Sequence, residues 1–384
     1  MKDRRLKRFW YRAGPLAAAG ALVTGGAMMG CSSDSPTSSS TSGTGGNTDV
    51  TSSTTTMSGG TGGASTSSSS ATATAAAGTG GAGTTSSSGT GGQHDLAIGS
   101  AADVHRPFDA TPSPDGSQVY FTADGANGLG VYKAPSDGSA PTPVAVYPAA
   151  IDPANPFAGP FGIAISTDGK TIFVADVAGG PSDRGAIYAV SAAGGTPTLV
   201  SGTDGFVPRS IDVVVVGGLD NLTFSGTDAK GLPGIFSVPA AGGTVTPVTV
   251  GGALHDPSGL AVAKDGAIYL IDTIASGNSA AQILVIPQGG SPKVLVDDVR
   301  VGYPAGIAIS TDDKTLYVSG FNPQELTDRL LVVDIAAKTA TESFKTELGT
   351  FTESGGLHRA KTSDIFALVD SSAGPKAGKV FVIK

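Results

Sequence analysis

The sequence predicts an all-β fold for residues 94–384, and three observations support this prediction. Short runs of β-branched and aromatic residues recur along this part of the chain, and Gly, Pro and Asp separate them, as is typical of strands joined by tight turns. A short motif returns six times, at intervals of 47 to 53 residues, which indicates a repeat architecture. We find no apolar periodicity of the kind that predicts an amphipathic helix.

Residues 1–30 have the three parts of an export signal peptide. Six basic residues lie within the first twelve, an apolar run rich in Ala, Leu and Gly follows, and small residues precede Cys31. The segment Ala27-Met28-Met29-Gly30-Cys31 resembles the signal of bacterial lipoproteins, in which the cysteine is acylated and becomes the new N-terminus. The alternative interpretation is an uncleaved transmembrane anchor, because the apolar run approaches the minimum membrane span.

Residues 31–93 consist almost entirely of Ser, Thr, Gly and Ala after the cysteine. Such a segment cannot bury enough apolar surface to offset its ordering entropy, so we expect a lipidated Cys31 followed by a disordered linker. Because Ser32 rather than Asp follows the cysteine, the lipoprotein resemblance implies an outer-membrane location, on either its periplasmic or its outer side.

Charge and cysteine content exclude several classes of partner and chemistry. Of the 24 basic and 32 acidic residues, six and three precede residue 94, so the folded part has 18 and 29 and a net charge of −11. This charge argues against nucleic acid as a partner. Because Cys31 is the sole cysteine, the folded part has no disulfide, thiolate nucleophile or Cys-ligated metal.

The repeated motif has the form Pro-x-Gly/Ser-Ile/Leu. Its copies, two of them degenerate, start at Pro107, Pro160, Pro208, Pro257, Pro304 and Ser354. Eight residues after the start, four copies have an Asp in a hairpin-forming turn, whereas the third and sixth have Val216 and Thr362. Three further strand-like runs complete each repeat of about 48 residues, which predicts a six-bladed β-propeller of four-stranded blades.

The last repeat has a third strand-like run, at 379–384, and no fourth run after it. A strand-like segment, 95–99, precedes the first repeat. We expect this segment to be the outer strand of the last blade, which closes the ring and holds both ends of the domain.

Two repeats, 160–176 and 257–272, resemble those of NHL-type, YVTN-type and SMP-30-like propellers. Residues 113–121 resemble the TolB-type, WD40-like repeat. The resemblance covers the whole folded part and implies a six-bladed propeller. It leaves the function open, because this fold serves hydrolases, oxidoreductases, ligand binders and scaffolds.

The candidate site is the mouth of the central channel on the face where the repeats begin, which we call the upper face. The second residue of each motif is predicted to point there: Phe108, Phe161, Arg209, Ser258, Ala305 and Gly355. Nearby loops add Asp109, Asp152, Asp204, His255, Asp256, Tyr303 and Glu353. Arg209 beside aromatic rings suits a carboxylate-bearing ligand, and the alternative is a structural salt bridge to a loop Asp.

Several aspartates at the ends of second strands predict a repeated structural cap rather than a functional site. They are Asp124, Asp176, Asp272 and Asp370. Local catalytic signatures such as Gly-x-Ser-x-Gly and His-Glu-x-x-His are missing from the folded part. His105 and His255 are the candidate acid–base groups, and the alternative is that each is a polar loop residue.

We therefore expect a monomeric, membrane-anchored binding scaffold without a cofactor. An unknown protein, peptide or small molecule would bind the upper face through long loops at 147–160, 176–185, 272–282 and 319–329. The SMP-30-like resemblance implies an alternative, a metal-dependent hydrolase or lactonase. In that alternative Asp109, Asp256 and Glu353 are the first candidates to hold a divalent metal, although none of the second motif residues is a carboxylate.

The lipoprotein interpretation predicts that Cys31→Ser releases the protein from membranes, because no acyl chain is then attached. The measurement is the partition of the full chain between soluble and membrane fractions. Ser32→Ala is the control and leaves the protein in the membrane fraction. A Cys31→Ser chain that stays with the membrane contradicts the interpretation.

Overall fold

The structure is a computed structural model. It describes residues 96–98, 105–125, 127–148, 156–274, 280–302, 305–322, 325, 327–344, 354–371 and 378–383. These residues belong to one compact unit of the chain, Thr84–Lys384. The predicted signal peptide and linker lie outside them. No helix long and apolar enough to cross a membrane occurs in the described part of the chain.

The described residues form 24 β-strands and no helix, arranged as six antiparallel four-stranded sheets. This architecture confirms the six-bladed propeller. Blades 1 and 2 contain β2 (Arg106–Pro112), β3 (Gln118–Gly125), β4 (Gly128–Pro135), β5 (Thr142–Tyr147), β6 (Pro160–Ile165), β7 (Thr171–Asp176), β8 (Ala186–Ser191) and β9 (Thr198–Leu199). Blades 3 and 4 contain β10 (Val207–Val216), β11 (Leu219–Thr227), β12 (Pro233–Pro239), β13 (Thr246–Val250), β14 (Pro257–Val262), β15 (Ile268–Asp272), β16 (Ala281–Ile286) and β17 (Lys293–Val299). Blades 5 and 6 contain β18 (Ala305–Ile309), β19 (Thr315–Asn322), β20 (Thr327–Asp334), β21 (Thr339–Phe344), β22 (Ser354–Arg359), β23 (Phe366–Asp370), β24 (Lys379–Ile383) and β1 (Leu96–Ile98).

The first strand of each repeat is the inner strand of its blade. The inner strands β2, β6, β10, β14, β18 and β22 contact one another in sequence around the channel, and β22 contacts β2 to complete the ring. Each blade is covered on both faces by its neighbours, so consecutive residues of the second strands are buried, as in Ile172–Asp176. One core cluster accordingly joins Phe173 of blade 2 to Phe224 and Phe236 of blade 3.

The segment before the first repeat closes the ring as predicted. β1 pairs with β24 in antiparallel register, with Leu96 opposite Ile383 and Ile98 opposite Phe381. Blade 6 then packs against blade 1, and Thr362 donates a backbone hydrogen bond of 3.1 Å to the Pro114 carbonyl. The outer strand of the last blade therefore comes from the opposite end of the domain.

The Asp-Gly turns join inner and second strands on the lower face, opposite the upper face. In blade 1, the Ser113 hydroxyl donates to the Asp115 carboxylate over 2.6 Å, and Gly116 has a positive φ of 74°. Blade 3 departs from the predicted turn position. Val216 ends β10, and the turn is formed by Gly217 and Gly218, with φ of 61° and 82°. The β10–β11 hairpin is consequently longer than the others and its end is exposed to solvent.

Three of the four predicted long loops follow the expected strands, at 148–159, 177–185 and 273–280. Residues 149–155 and 275–279 of these loops lie outside the described part. The predicted loop 319–329 is wrong. β19 continues to Asn322 and β20 begins at Thr327, because Ser319 and Gly320 are buried and pair with Leu330 and Arg329.

Ring closure predicts that deletion of residues 94–100 destabilises the whole domain, because β24 then becomes an unpaired edge and blade 6 loses its outer strand. We expect the melting temperature to fall by at least about 10 °C. Deletion of residues 61–67, seven residues of the linker, is the control and leaves it unchanged. An unaltered melting temperature after deletion of 94–100 would refute the closure.

Candidate functional site

The upper mouth of the channel is built by irregular starts of the inner strands. In five of the six inner strands the pairing with the second strand shifts by a residue or more just after the strand begins. Such a bulge redirects side chains. The second motif residues thereby line one shallow pocket, as predicted for Phe108, Phe161, Arg209, Ser258 and Ala305. At the sixth position the neighbouring Gly356 lines it.

Two aromatic rings form one side of this mouth. Phe108 and Phe161 are stacked with ring centroids 5.2 Å apart and planes inclined by 26°. Phe108 is buried, whereas Phe161 is partly exposed. The pair therefore exposes one aromatic ring at the mouth and supports it with the other.

Arg209 forms a salt bridge with Asp256, which precedes the inner strand of blade 4. Asp256 also accepts a hydrogen bond of 2.7 Å from the Thr273 hydroxyl. Arg209 thus forms the structural salt bridge to a loop Asp that was the alternative prediction for this residue. The salt bridge holds the guanidinium beside the aromatic pair and links blade 3 to the loop of blade 4.

Buried aspartates hold the loops around the mouth, as the cap prediction requires. Asp272 accepts backbone hydrogen bonds from His255 at 2.8 Å and Asp256 at 2.6 Å. Asp176 accepts four, from Ala158, Gly159, Ala178 and Gly179. His255 itself has a side chain that is 55% exposed, on the rim. Each cap satisfies loop N–H groups that would otherwise lack partners.

The remaining predicted residues divide into two groups. Asp204 accepts a backbone hydrogen bond from Ser182 in a separate loop, and the His105 carbonyl accepts one from Gly378. Asp152, Tyr303 and Glu353 lie outside the described residues.

Asp109 lies just below the mouth and joins three blades. Its Oδ2 is 3.0 Å from Nε2 of His358 in blade 6 and accepts a hydrogen bond of 3.0 Å from the backbone of Ile163 in blade 2. Its Oδ1 accepts a hydrogen bond from Ala110 in its own blade. Burial by itself would lower the pKa of His358, but the Asp109 carboxylate outweighs it and the pKa is raised above its ordinary value of 6.5.

A second ion pair crosses the channel further down. Nζ of Lys361 in blade 6 lies 2.8 Å from both the Asp212 carboxylate and the Val213 carbonyl in blade 3, on the opposite side of the ring. Val262 of blade 4 donates to the same carboxylate over 3.1 Å. Burial would raise the pKa of the Asp212 carboxyl, but Lys361 and His358 lower it below the ordinary value.

The inner strands approach one another closely at the level of Asp109, a region we call the neck. A Cβ on Gly162 would lie 2.6 Å from the Arg209 carbonyl, and one on Gly259 would lie 2.6 Å from the Ala305 carbonyl. Neighbouring inner strands therefore touch through their backbones. The neck separates the upper mouth, with a volume of about 30 Å³, from a lower cavity of about 720 Å³.

Sequence reasoning missed His358, Lys361 and Asp212. A signal was present for two of them at the fifth motif position, which is Thr111, Ala164, Asp212, Ala261, Ala308 or His358. All six line the lower cavity. Because four of the six are small, an Asp and a His at this position stand out and indicate charged groups inside the channel.

Asp109 and Asp256, which the alternative reading assigned to a metal, are not arranged as a ligand set. Each carboxylate has its own ion-pair partner. Within the described ranges no three His, Cys, Asp or Glu side chains come close enough to hold a metal ion. These residues therefore do not fit the divalent centre that the SMP-30-like resemblance implies.

Comparison with known proteins supports the fold. Neither protein-family models nor the sequences of curated proteins match the chain. Among solved structures, a chain of the nidogen/laminin complex is similar with a TM-score of 0.53 and 17% identity, over 71% of this chain and all of that one. A putative TolB from Agrobacterium tumefaciens has a TM-score of 0.51 and 17% identity, over 76% of this chain and 99% of that one. The calcium-binding protein regucalcin from the same organism has a TM-score of 0.52 and 14% identity, over 74% and 91%. These similarities confirm the resemblance to TolB-type and SMP-30-like propellers at the level of the fold.

The Asp109–His358 pair predicts a pH-dependent stability. Because the pKa of His358 is raised on folding, the pair stabilises the domain fully below about pH 6.5, and this contribution is lost as the pH rises through the raised pKa. We expect His358→Gln to cost roughly 3 kcal/mol at low pH and less at high pH. Melting temperatures from about pH 5.5 to about pH 9 measure this. His255→Gln, on the exposed rim, is the control, and a His358→Gln deficit that is constant with pH contradicts the prediction.

Proposed function

We propose that the protein is a lipid-anchored binding scaffold of the cell envelope, whose upper face binds a protein or peptide partner without catalysing a reaction. The observation that carries this proposal is the shape of the mouth. A volume of about 30 Å³ holds about one water molecule, whereas small-molecule sites usually occupy about 300–1,000 Å³. A partner therefore lies across the mouth rather than inside it.

The chemistry of the mouth suits such a partner. Aromatic and Arg side chains dominate the binding energy of protein interfaces, and Phe161 and Arg209 both line the mouth. Asp272 and Asp176 hold the adjoining loops by backbone hydrogen bonds. The loops therefore lose less conformational entropy when a partner binds.

The charged groups of the mouth serve structure rather than acid–base chemistry. Asp109 is committed to His358 and two backbone N–H groups, and Asp256 to Arg209 and Thr273. A catalytic acid or base has to lie within hydrogen-bond reach of the group that it protonates or deprotonates, and the hydrogen bonds of these two carboxylates are all to groups of the protein. No observation on the described residues favours the hydrolase alternative.

The anchoring part of the proposal rests on the sequence. The lipoprotein-like segment before Cys31 and the Ser/Thr/Gly-rich residues 32–93 support an outer-membrane protein on a flexible tether. A coil of this length has a root-mean-square span of about 43 Å. The propeller would then reach partners away from the membrane surface.

In-cell photo-crosslinking of the full chain tests the upper face. A photoreactive residue at position 255, on the exposed rim, is expected to form a discrete adduct with a protein partner. Phe161→Ala should lower the adduct yield about tenfold or more, because a central aromatic contact is lost. Val294→Ala, on the exposed outer strand of blade 4, is the control and leaves the yield unchanged.

Two outcomes would contradict the proposal. One is that no adduct forms from position 255. The other is an adduct whose yield is the same with and without Phe161→Ala, because contact through the mouth requires that ring.

A further inference from the structure

We propose that the lower cavity is a second binding site, separate from the upper mouth, and that its ligand is a small amphipathic carboxylate with one carboxylate head and an apolar body. This site goes beyond the proposed partner binding, because the neck separates it from the upper face. Its volume of about 720 Å³ lies within the range of small-molecule pockets.

The cavity exists because small side chains line its inner end. Thr111, Ala164, Ala261 and Ala308 occupy four of the six positions around the channel below the neck. Above them, at the neck, the backbones of neighbouring inner strands lie close together. The wide part of the channel therefore lies below the neck.

Both blades at the seam between blades 3 and 4 give the cavity an aliphatic lining. Leu260, Ile268 and Ile286 line it from blade 4 and are themselves buried. The blade 3 lining includes Val215, Val216 and Val248, which are exposed. An apolar ligand body would cover the aliphatic surface that these valines expose.

Cationic and acidic side chains line the cavity in equal numbers when His358, which is paired with Asp109, is set aside. They are Lys264, Arg359, Lys361, Asp212, Asp265 and Asp313. Because the folded part as a whole has a net charge of −11, the cavity is less acidic than the rest of the domain. An anionic group on a ligand therefore meets less repulsion here than elsewhere on the domain.

Lys361 is the group that would hold the carboxylate. Its ammonium donates to Asp212 and to the Val213 carbonyl, which uses two of its three protons. The Asp212 carboxylate also accepts hydrogen bonds from the backbone of Val213 and Val262. Lys361 is therefore not the only group that stabilises its buried negative charge. The third Lys361 proton is therefore available for a charge-assisted hydrogen bond to a ligand oxygen.

One part of the cavity rim is apolar and exposed. Val215, Val216 and Val248 all line the cavity, yet they are 57%, 60% and 40% exposed. Val215 and Val216 belong to the extended part of the β10–β11 hairpin, which the other blades lack. Exposed apolar residues beside a cavity are typical of a binding site. They would contact the apolar end of a ligand whose head reaches Lys361.

The test compares octanoate with 1-octanol, which has the same chain without the charge, by ligand-observed NMR titration of the full chain. We expect octanoate to bind more tightly than 1-octanol. Lys361→Met should weaken octanoate binding about tenfold or more and 1-octanol binding less than about twofold. Lys230→Met changes an exposed lysine in the loop after β11, on the upper face, and is the control that alters neither.

Lys361→Met leaves the Asp212 carboxylate without its cation and could therefore destabilise the fold. A second variant controls for this effect. Asp212→Asn combined with Lys361→Met removes both charges and should show the same loss of octanoate preference. Val216→Ser should weaken both ligands about threefold, since it removes apolar contact. Val294→Ser changes a valine that is 50% exposed, compared with 60% for Val216, on the outer strand of blade 4, and should alter neither.

The proposal is overturned if octanoate binds the unmodified chain no more tightly than 1-octanol. It is also overturned if Lys361→Met weakens both ligands equally, or if the folded double variant keeps its preference for octanoate. These results leave the crosslinking test of the upper face unaffected, so the two proposals fail independently.

Discussion

The close approach of the inner strands at the neck is the constraint on which the rest of the molecule depends. Four of the six residues at this level are glycine, and a side chain on Gly162 or Gly259 would collide with a neighbouring backbone. Gly356 leaves the space that the Asp109 carboxylate fills, since a Cβ there would overlap that carboxylate. This contact makes the upper mouth shallow and leaves the larger volume below it.

Ion pairs below and at the mouth connect blades that are distant in the chain. Asp109 and His358 join blades 1 and 6, and Asp212 and Lys361 join blades 3 and 6 across the channel. Buried charges are costly unless they are paired, so each pair specifies one relative position of its blades. The same charges then give the two compartments different chemistry. The mouth presents an aromatic surface beside Arg209, and the lower cavity presents Lys361 below an apolar rim.

The position of the second motif residues around the upper mouth was predictable from the sequence, whereas the ion pairs near the mouth were not. Residues at one motif position lie on one circle when six repeats close into a ring, which is why Phe108, Phe161 and Arg209 meet as expected. Asp109 and His358 are 249 residues apart in the chain, and no local sequence pattern predicts that they pair. The longer β10–β11 hairpin was also missed, because repeat spacing placed the turn at Val216 rather than at the two glycines that follow.

The amino-acid sequence by itself determined the strands, the six repeats, the closing strand β1 and the circle of residues at the mouth. These features follow from side-chain alternation and turn chemistry, which act over a few residues and then recur. Only the tertiary structure decided how closely the inner strands meet at the neck, that Arg209 is bound to Asp256, and that the large cavity lies on the lower side of the neck. Those outcomes depend on how closely six backbones approach one axis, and that distance is set by all the blades together.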